Sequence, residues 1–229
     1  DGISDLFLYD SITGQWFKSL STPTGFDYTQ GGWNPGWEIY PMTLNHDAFG
    51  DMFLINRTTG RWFWVLGDAG GGFTYPVSET WYPGWKLYPG DFNGDGLSEL
   101  LLHDPSTGTY FVAMTTASGF TYQQGGWSLG WSLTVADLDG NGTEDLFLHD
   151  PLTGVWFEMI SNGAGGFSNG GGQTWSLGWS LYLTDVNGDG RADLILYDPA
   201  TGAWYQARNL TLGSFIYNSG IWDPGLSII

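Results

Sequence analysis

Residues 150–179 read DPLTGVWFEMISNGAGGFSNGGGQTWSLGW, and this stretch contains both markers of a repeat that fills the chain. The first marker is Thr-Gly followed one residue later by an aromatic residue. It recurs at steps of 46, 48, 46 and 48 residues, at Gly14/Trp16, Gly60/Trp62, Gly108/Tyr110, Gly154/Trp156 and Gly202/Trp204. The second marker, Trp-x-x-Gly-Trp, has the same period and is found at Trp33/Trp37, Trp81/Trp85, Trp127/Trp131, Trp175/Trp179 and, with Leu in its last place, Trp222/Leu226. Internal repeats of this length are typical of solenoids and propellers.

One unit of the repeat reads as four short strands. In the unit from 127 to 175, residues 131–136 are rich in strand formers, and the apolar run 146–149 is typical of a strand covered on both faces. A turn rich in Asp, Pro and Gly separates that run from a third strand over 155–160. A Gly-rich, polar segment, 167–175, predicts a fourth, outer strand. The 37 glycines and 10 prolines interrupt the chain too often for helices.

Five such units predict an all-β, five-bladed β-propeller of four-stranded antiparallel blades, in a single domain over 1–229. An open solenoid would need atypical polar units at both ends, and none is seen. The chain begins inside a loop, and residues 226–229 align with the end of an inner strand. We therefore expect this C-terminal strand to join the N-terminal blade and close the ring.

Charge and composition exclude several classes of function. The 229-residue chain has 6 Lys and Arg against 24 Asp and Glu, a net charge of -18. Nucleic-acid binding through phosphates needs clustered basic residues, and an anionic membrane surface would repel this chain. There is no cysteine, and no run of 18 apolar residues is present. We therefore expect no nucleic-acid partner and no membrane insertion.

Three loops space oxygen ligands in the same pattern. Side-chain oxygens stand at positions 1, 3, 5 and 9, glycine stands at position 6, and position 7 offers its backbone carbonyl. The residues at positions 1, 3, 5, 7 and 9 are Asp91, Asn93, Asp95, Leu97 and Glu99; Asp137, Asp139, Asn141, Thr143 and Asp145; and Asp185, Asn187, Asp189, Arg191 and Asp193. Hard oxygen ligands in this number suit Ca²⁺, and the lack of His and Cys argues against zinc. The alternative is that these residues only make good turns.

The other two loops are incomplete. Residues 43–51 have Thr43 at position 1 and Ala48 at position 6, and the chain start removes the first positions beside Asp5. We expect weak calcium binding or none at both places.

The loop sequence Asp-x-Asn-Gly-Asp-Gly-x-x-Asp-Leu, at 185–194, resembles the FG-GAP/VCBS repeat of integrin-like propellers. The resemblance extends over all five units, with full loops in three. It implies four-stranded blades with calcium in the loop between the first two strands. The repeated tryptophans depart from that family, and propellers of this kind have many functions.

Tryptophan is abundant, with 14 residues, and two interpretations stay open. Trp37, Trp85, Trp131 and Trp179 lie beside the inner strand, where we expect packing between blades. The remaining marker aromatics could pack or could serve as platforms for sugar rings, with polar neighbours binding hydroxyls. These candidate ligand-binding residues are Trp33, Trp81, Trp127, Trp175 and Trp222, with Trp16, Trp62, Tyr110, Trp156 and Trp204.

No unique constellation of catalytic residues stands out from the repeat, so we expect no enzyme. His103 and His149 occupy the phase where Tyr9 and Tyr197 stand in sister units, which indicates a tolerated strand position. We expect a calcium-stabilised, multivalent, lectin-like propeller that binds glycans, by analogy with other five-bladed lectins. The alternatives are a protein-interaction or adhesion propeller, and a designed or trimmed propeller with no selected ligand. We expect an extracellular or cell-surface location.

Overall fold

The structure, a computed structural model, describes residues 5–228, and in it each repeat forms one antiparallel β-sheet. No helix occurs in this range, so none is long and apolar enough to cross a membrane. The chain divides into two compact units, Asp1–Gly84 and Trp85–Ile229. The all-β repeat with one sheet per unit of sequence is therefore confirmed.

The first unit contains two sheets. The first sheet has three strands in the order β1-β2-β3, namely Leu6–Tyr9, Gln15–Thr22 and Gly25–Gly32. The second sheet has the order β4-β5-β6-β7, with β8 also paired to β6, and its strands are Trp37–Met42, Asp51–Asn56, Arg61–Gly67, Phe73–Thr74 and Ser78–Thr80. Its outer strand is split because Pro76 has no N–H to donate between β7 and β8.

The second unit contains three sheets of four strands each. The third sheet comprises β9 to β12, Lys86–Gly90, Glu99–His103, Thr109–Thr116 and Gly119–Gly126. The fourth comprises β13 to β16, Ser132–Ala136, Asp145–His149, Val155–Ser161 and Phe167–Thr174. The fifth comprises β17 to β20, Ser180–Thr184, Asp193–Tyr197, Ala203–Thr211 and Ser214–Ile221. These bounds agree with the four strands predicted for the unit 127–175.

The hydrophobic core lies between consecutive sheets of each unit. Leu101 of the third sheet packs with Leu146 and Leu148 of the fourth, and Phe147 of the fourth packs with Leu194 of the fifth. The second strand of a sheet is therefore covered on both faces, which explains its continuous apolar sequence. A single repeat cannot bury this strand alone.

One face of the first sheet is open. Leu8 of β1 is 51% exposed, whereas Leu54, at the same phase of the second sheet, is 2% exposed. Residues 226–228 form no strand, and Ile229 lies outside the described residues. Closure of the ring by a C-terminal strand is therefore not confirmed and stays a prediction, as does the single domain.

Candidate functional site

The two sequence markers are joined by one hydrogen bond in every repeat. The N–H of Trp33 donates to the carbonyl of Gly14 at 2.8 Å, and the same bond is made by Trp81, Trp127, Trp175 and Trp222 to Gly60, Gly108, Gly154 and Gly202. Gly14 has a φ of 78°, and a Cβ built there would lie 2.0 Å from the Trp33 carbonyl oxygen. Only glycine satisfies both conditions, which accounts for the fixed Thr-Gly.

The first tryptophan of each pair rests on the aromatic residue that follows Thr-Gly. Ring centroids are 4.8 Å apart for Trp156 and Trp175 and 4.0 Å apart for Tyr110 and Trp127, and three further pairs repeat the contact, Trp16/Trp33, Trp62/Trp81 and Trp204/Trp222. The supporting residues Trp62, Tyr110 and Trp156 are buried, and Trp16 and Trp204 are half-buried. Buried rings offer no face to a sugar, which excludes Trp62, Tyr110 and Trp156 as platforms, whereas Trp16, Trp204 and the five first tryptophans are all at least partly exposed.

The second tryptophan of each pair meets, edge to face, an aromatic ring on the third strand of the sheet that it leads into. Trp37 and Phe63 have centroids 5.4 Å apart at 82°, and Trp179 and Tyr205 are 5.4 Å apart at 81°. Trp85/Phe111 and Trp131/Phe157 repeat the arrangement. These ring contacts lie within one sheet, so packing between blades stays a prediction, and each of the four tryptophans keeps part of its surface in solvent.

Two clefts form where these aromatic pairs leave room between consecutive sheets. The first cleft, in the first unit, has a volume of about 350 Å³ and is lined by Gly32, Trp33, Asn34, Trp37, Leu54, Phe63 and Tyr75. The second cleft, in the second unit, has a volume of about 240 Å³ and is lined by Trp175, Ser176, Trp179, Leu196, Tyr205 and Tyr217. Six positions of the repeat line both clefts. The two clefts are therefore two copies of one site.

A tyrosine hydroxyl completes each cleft. Trp33 Nε1 donates to the Tyr75 hydroxyl at 2.7 Å, and Trp175 Nε1 donates to the Tyr217 hydroxyl at 3.1 Å, each across 42 residues. These tyrosines are not among the ligand-binding residues predicted from the sequence. Their signal is a third repeated pattern, Phe-x-Tyr, at Phe26/Tyr28, Phe73/Tyr75, Phe120/Tyr122 and Phe215/Tyr217, with Asn169 replacing tyrosine after Phe167.

Residues 33–37, the linker between the first two sheets, contribute to the lining of the first cleft and are held by another tyrosine. The Tyr9 hydroxyl donates to the Asn34 carbonyl at 3.2 Å and accepts from the Trp37 N–H at 3.3 Å. Tyr197 makes the corresponding contacts to Asp223 and Leu226. His103 and His149 have this phase in the third and fourth repeats, and Ile55 has it in the second.

Among the acidic loops, residues 137–145 bring three carboxylates together. One oxygen from each of Asp137, Asp139 and Asp145 lies within 4.8 Å of the others. Gly140 and Gly142 N–H groups donate to Asp137, and Asn141 N–H donates to Asp139 at 3.1 Å. Each carboxylate oxygen has a second lone pair for a cation, so these residues fit Ca²⁺.

In the other two complete loops, positions 3 and 5 are bonded to each other. Asn93 Nδ2 donates to Asp95 at 3.0 Å, and Asn187 Nδ2 donates to Asp189 at 2.9 Å. Asp91 and Asp185, at position 1, accept backbone N–H groups from their own loops, and these donors lower the pKa of Asp185. Their oxygen ligands fit Ca²⁺ as well, but the loop at 137–145 has the denser set of carboxylates.

The loops of the second unit are connected in series. The Glu144 N–H donates to the Asp91 carbonyl at 2.9 Å, and the Ala192 N–H donates to the Asp137 carbonyl at 2.7 Å. Position 8 of one loop thus binds position 1 of the loop before it. A cation that orders one loop would therefore also order its neighbour.

The carboxylate at position 9 has a structural role that the motif does not reveal. It accepts one N–H from seven residues earlier and one from sixteen residues later. Asp145 receives Leu138 at 3.0 Å and Ser161 at 2.8 Å. The same pair of bonds is made by Asp51, Glu99 and Asp193, and Asp5 keeps the bond to Ser21.

Burial perturbs the acidity of these carboxylates. Removal from water raises the pKa of Glu99 to about 7 and that of Asp145 to about 6, and it also raises the pKa of Asp51. Neighbouring carboxylates in the loop add to the effect for Glu99 and Asp145. A bound cation would favour the ionised forms and offset this cost.

Comparison with known proteins supports the fold only. The sequence matches no family model, and it matches no curated protein sequence. A structure of a protein from Lactobacillus plantarum superposes with a TM-score of 0.52 at 11% identity, covering 92% of this chain and 69% of that one. A Bacteroides fragilis structure, designated "Putative exported protein", has a TM-score of 0.39 at 10% identity and covers 80% of this chain and 55% of that one.

Proposed function

We propose that this protein is a calcium-stabilised, multivalent, carbohydrate-binding propeller of the lectin type, secreted or displayed at the cell surface, without catalytic activity. The observation that carries the proposal is the pair of equivalent clefts. Each presents partly exposed tryptophans beside a hydroxyl and an amide or second hydroxyl, the combination that stacks on a sugar ring and binds its polar groups. Repetition of weak sites gives avidity on a glycan surface.

The test replaces the second tryptophan of both clefts. Leu226 has this phase in the last repeat, so Trp37→Leu with Trp179→Leu is the least disruptive change. On a glycan array in the presence of calcium, we expect wild-type binding to at least one glycan class and a loss of about tenfold or more in the double variant, since each tryptophan that lines a cleft contributes on the order of 1 kcal/mol. Ile12→Ala, an exposed turn position, is the control.

An array without any wild-type hit would contradict the proposal. So would unchanged binding by the double variant, provided that circular dichroism and melting show both proteins folded. Binding reduced equally by Ile12→Ala would point to a general loss of folded protein instead.

The open face of the first sheet supports either ring closure or a second candidate function. Leu6, Leu8, Phe17, Phe26 and Tyr28 share this face through the strand register, and they are between 36% and 64% exposed. Such an apolar patch does not persist in solution without cover. We propose that residues 226–229 complete the first sheet and close a five-bladed ring that covers it; the alternative is a protein partner in an adhesion or interaction function.

Removal of residues 226–229 distinguishes these two uses of the patch. With ring closure, the truncated protein melts at least several degrees lower and binds a dye for exposed apolar surface, while the full chain does not. Dye binding by the full chain at the same level as by the truncated protein would contradict closure and favour the partner.

A further inference from the structure

We propose that the hydroxyls of Tyr75 and Tyr217 determine the specificity of the two clefts, and that each cleft takes an uncharged pyranose that presents an acceptor oxygen to this hydroxyl. The inference rests on the proposed sugar-binding function and adds the class of sugar and the residue that selects it. It also predicts that the equivalent linker at 127–131, which lacks the tyrosine, is not a site.

The hydrogen bond to the indole leaves each hydroxyl with a defined role. Since Trp33 Nε1 and Trp175 Nε1 can only donate, the two hydroxyl oxygens are the acceptors, and the O–H protons have no acceptor among the described contacts. Donation from the indole polarises the hydroxyl and strengthens it as a donor. Tyr75 and Tyr217 are 48% and 44% exposed, so a ligand can reach them.

In one cleft a second donor strengthens the preference for a ligand atom that accepts a hydrogen bond. Trp179 Nε1 donates to Ser176 Oγ at 3.0 Å, which again leaves the hydroxyl proton for a ligand. Asn34 has the same position in the first cleft and offers an amide. Both clefts therefore present hydrogen-bond donors beside an aromatic wall, and the matching ligand atom is a hydroxyl, ring or carbonyl oxygen.

The absence of charge in the lining points to a neutral ligand. None of the residues that line either cleft is ionisable at neutral pH, and the chain as a whole has a net charge of -18. A carboxylate or sulfate would lose water without gaining a cationic partner in the lining. The first cleft has a cation at its border, since Arg61 Cζ lies 4.7 Å from the centre of the Phe63 ring, whereas the second cleft has Ala203 at that phase and is the stricter test of the preference for a neutral ligand.

The linker at 127–131 provides an internal contrast. It has both tryptophans, and Trp131 Nε1 donates to Ser128 just as Trp179 does to Ser176. However, Asn169 replaces the tyrosine, and its side chain accepts the Gly171 N–H instead. Trp127 is stacked on Tyr110 at 4.0 Å and lies close to Phe167. This linker has the tryptophans of the site without its selecting hydroxyl.

The test is saturation-transfer NMR with the methyl glycosides of glucose, galactose and mannose, and with methyl glucuronide as the charged counterpart. We expect wild-type protein to bind at least one neutral glycoside, and the glucuronide at least fivefold more weakly. Tyr75→Phe with Tyr217→Phe, which keeps the ring, should weaken that neutral binding by at least fivefold. Trp131→Leu, the matched change at the linker without tyrosine, should leave it within twofold.

Three results would overturn the inference while leaving sugar binding intact: wild-type affinity in the double tyrosine variant, glucuronide binding as tight as that of the neutral sugars, or a loss through Trp131→Leu equal to that through the tyrosines. If wild-type protein binds none of the glycosides and no glycan on the array, the proposed function fails and the inference fails with it.

Discussion

The loops at 43–51 and 137–145 have the same place in two repeats and share one carboxylate. Asp51 and Asp145 are both buried, and each accepts the same two backbone N–H groups. In the loop at 137–145, the carboxylates of Asp137 and Asp139 lie close to Asp145, whereas the loop at 43–51 has Thr43 at its first position. Position 9 thus accepts backbone N–H groups in each described repeat, and the two loops differ at positions 1 and 3, on which the proposed cation site depends.

Removal of the carboxylate at position 9, which both loops share, should have the largest effect on stability. Asp51→Ala and Asp145→Ala each leave two N–H groups without their acceptor, at a cost of about 1–3 kcal/mol apiece. In chelator, we expect each variant to melt roughly 5–15 °C below wild type. Asp47→Ala, whose side chain is exposed, is the control and should change the melting temperature little.

A marked loss from Asp145→Ala together with none from Asp51→Ala would contradict the structural role of position 9. If this difference between the two variants appeared only with calcium present, the carboxylate would matter only where a cation binds. Equal losses of melting temperature by the two variants in chelator would show that the hydrogen-bonding role of position 9 does not depend on calcium.

Removal of calcium should lower the melting temperature by less than removal of the position-9 carboxylate does. Calcium at about 100 times its Kd stabilises a single site by about 2.7 kcal/mol, so chelation should lower the melting temperature by several degrees. Asp139→Ala should reduce this calcium-dependent shift, while Asp47→Ala, in the loop without the carboxylate cluster, should leave it unchanged. No shift in excess chelator would mean that the loops are turns only.

The calcium shift should also depend on pH in a defined direction. The pKa values of Glu99 and Asp145 are raised by burial to about 7 and about 6, so protons compete with the cation below these values. We therefore expect a larger calcium shift at pH 8 than at pH 5.5. Without calcium the sign reverses: because the folded state holds these protons more tightly than the unfolded state, stability falls as pH rises from about 4 to about 7. An equal calcium shift at both pH values would contradict binding through the buried acids.

Much of the fold could be predicted from the sequence because its determinants are local. The Thr-Gly turn, the Gly-rich loops and the apolar run 146–149 each act within one repeat, and the strands they predict are present. The clefts could be predicted only in part, since the Trp33–Tyr75 contact joins patterns 42 residues apart. Burial of Trp156 and the N–H acceptor role of Asp145 depend on the neighbouring sheet, which no single motif encodes.

The hydrogen bond between Trp33 and Gly14 is made within one repeat, whereas the hydrophobic core forms only between repeats. A gene segment that encodes one unit therefore transmits a complete turn and linker but no hydrophobic interior. A copied unit becomes stable only where two existing units receive it, and a partial copy separates the glycine from its tryptophan. Insertion or removal of whole units would preserve every such bond, and the spacing of the Thr-Gly marker along the chain varies by no more than two residues.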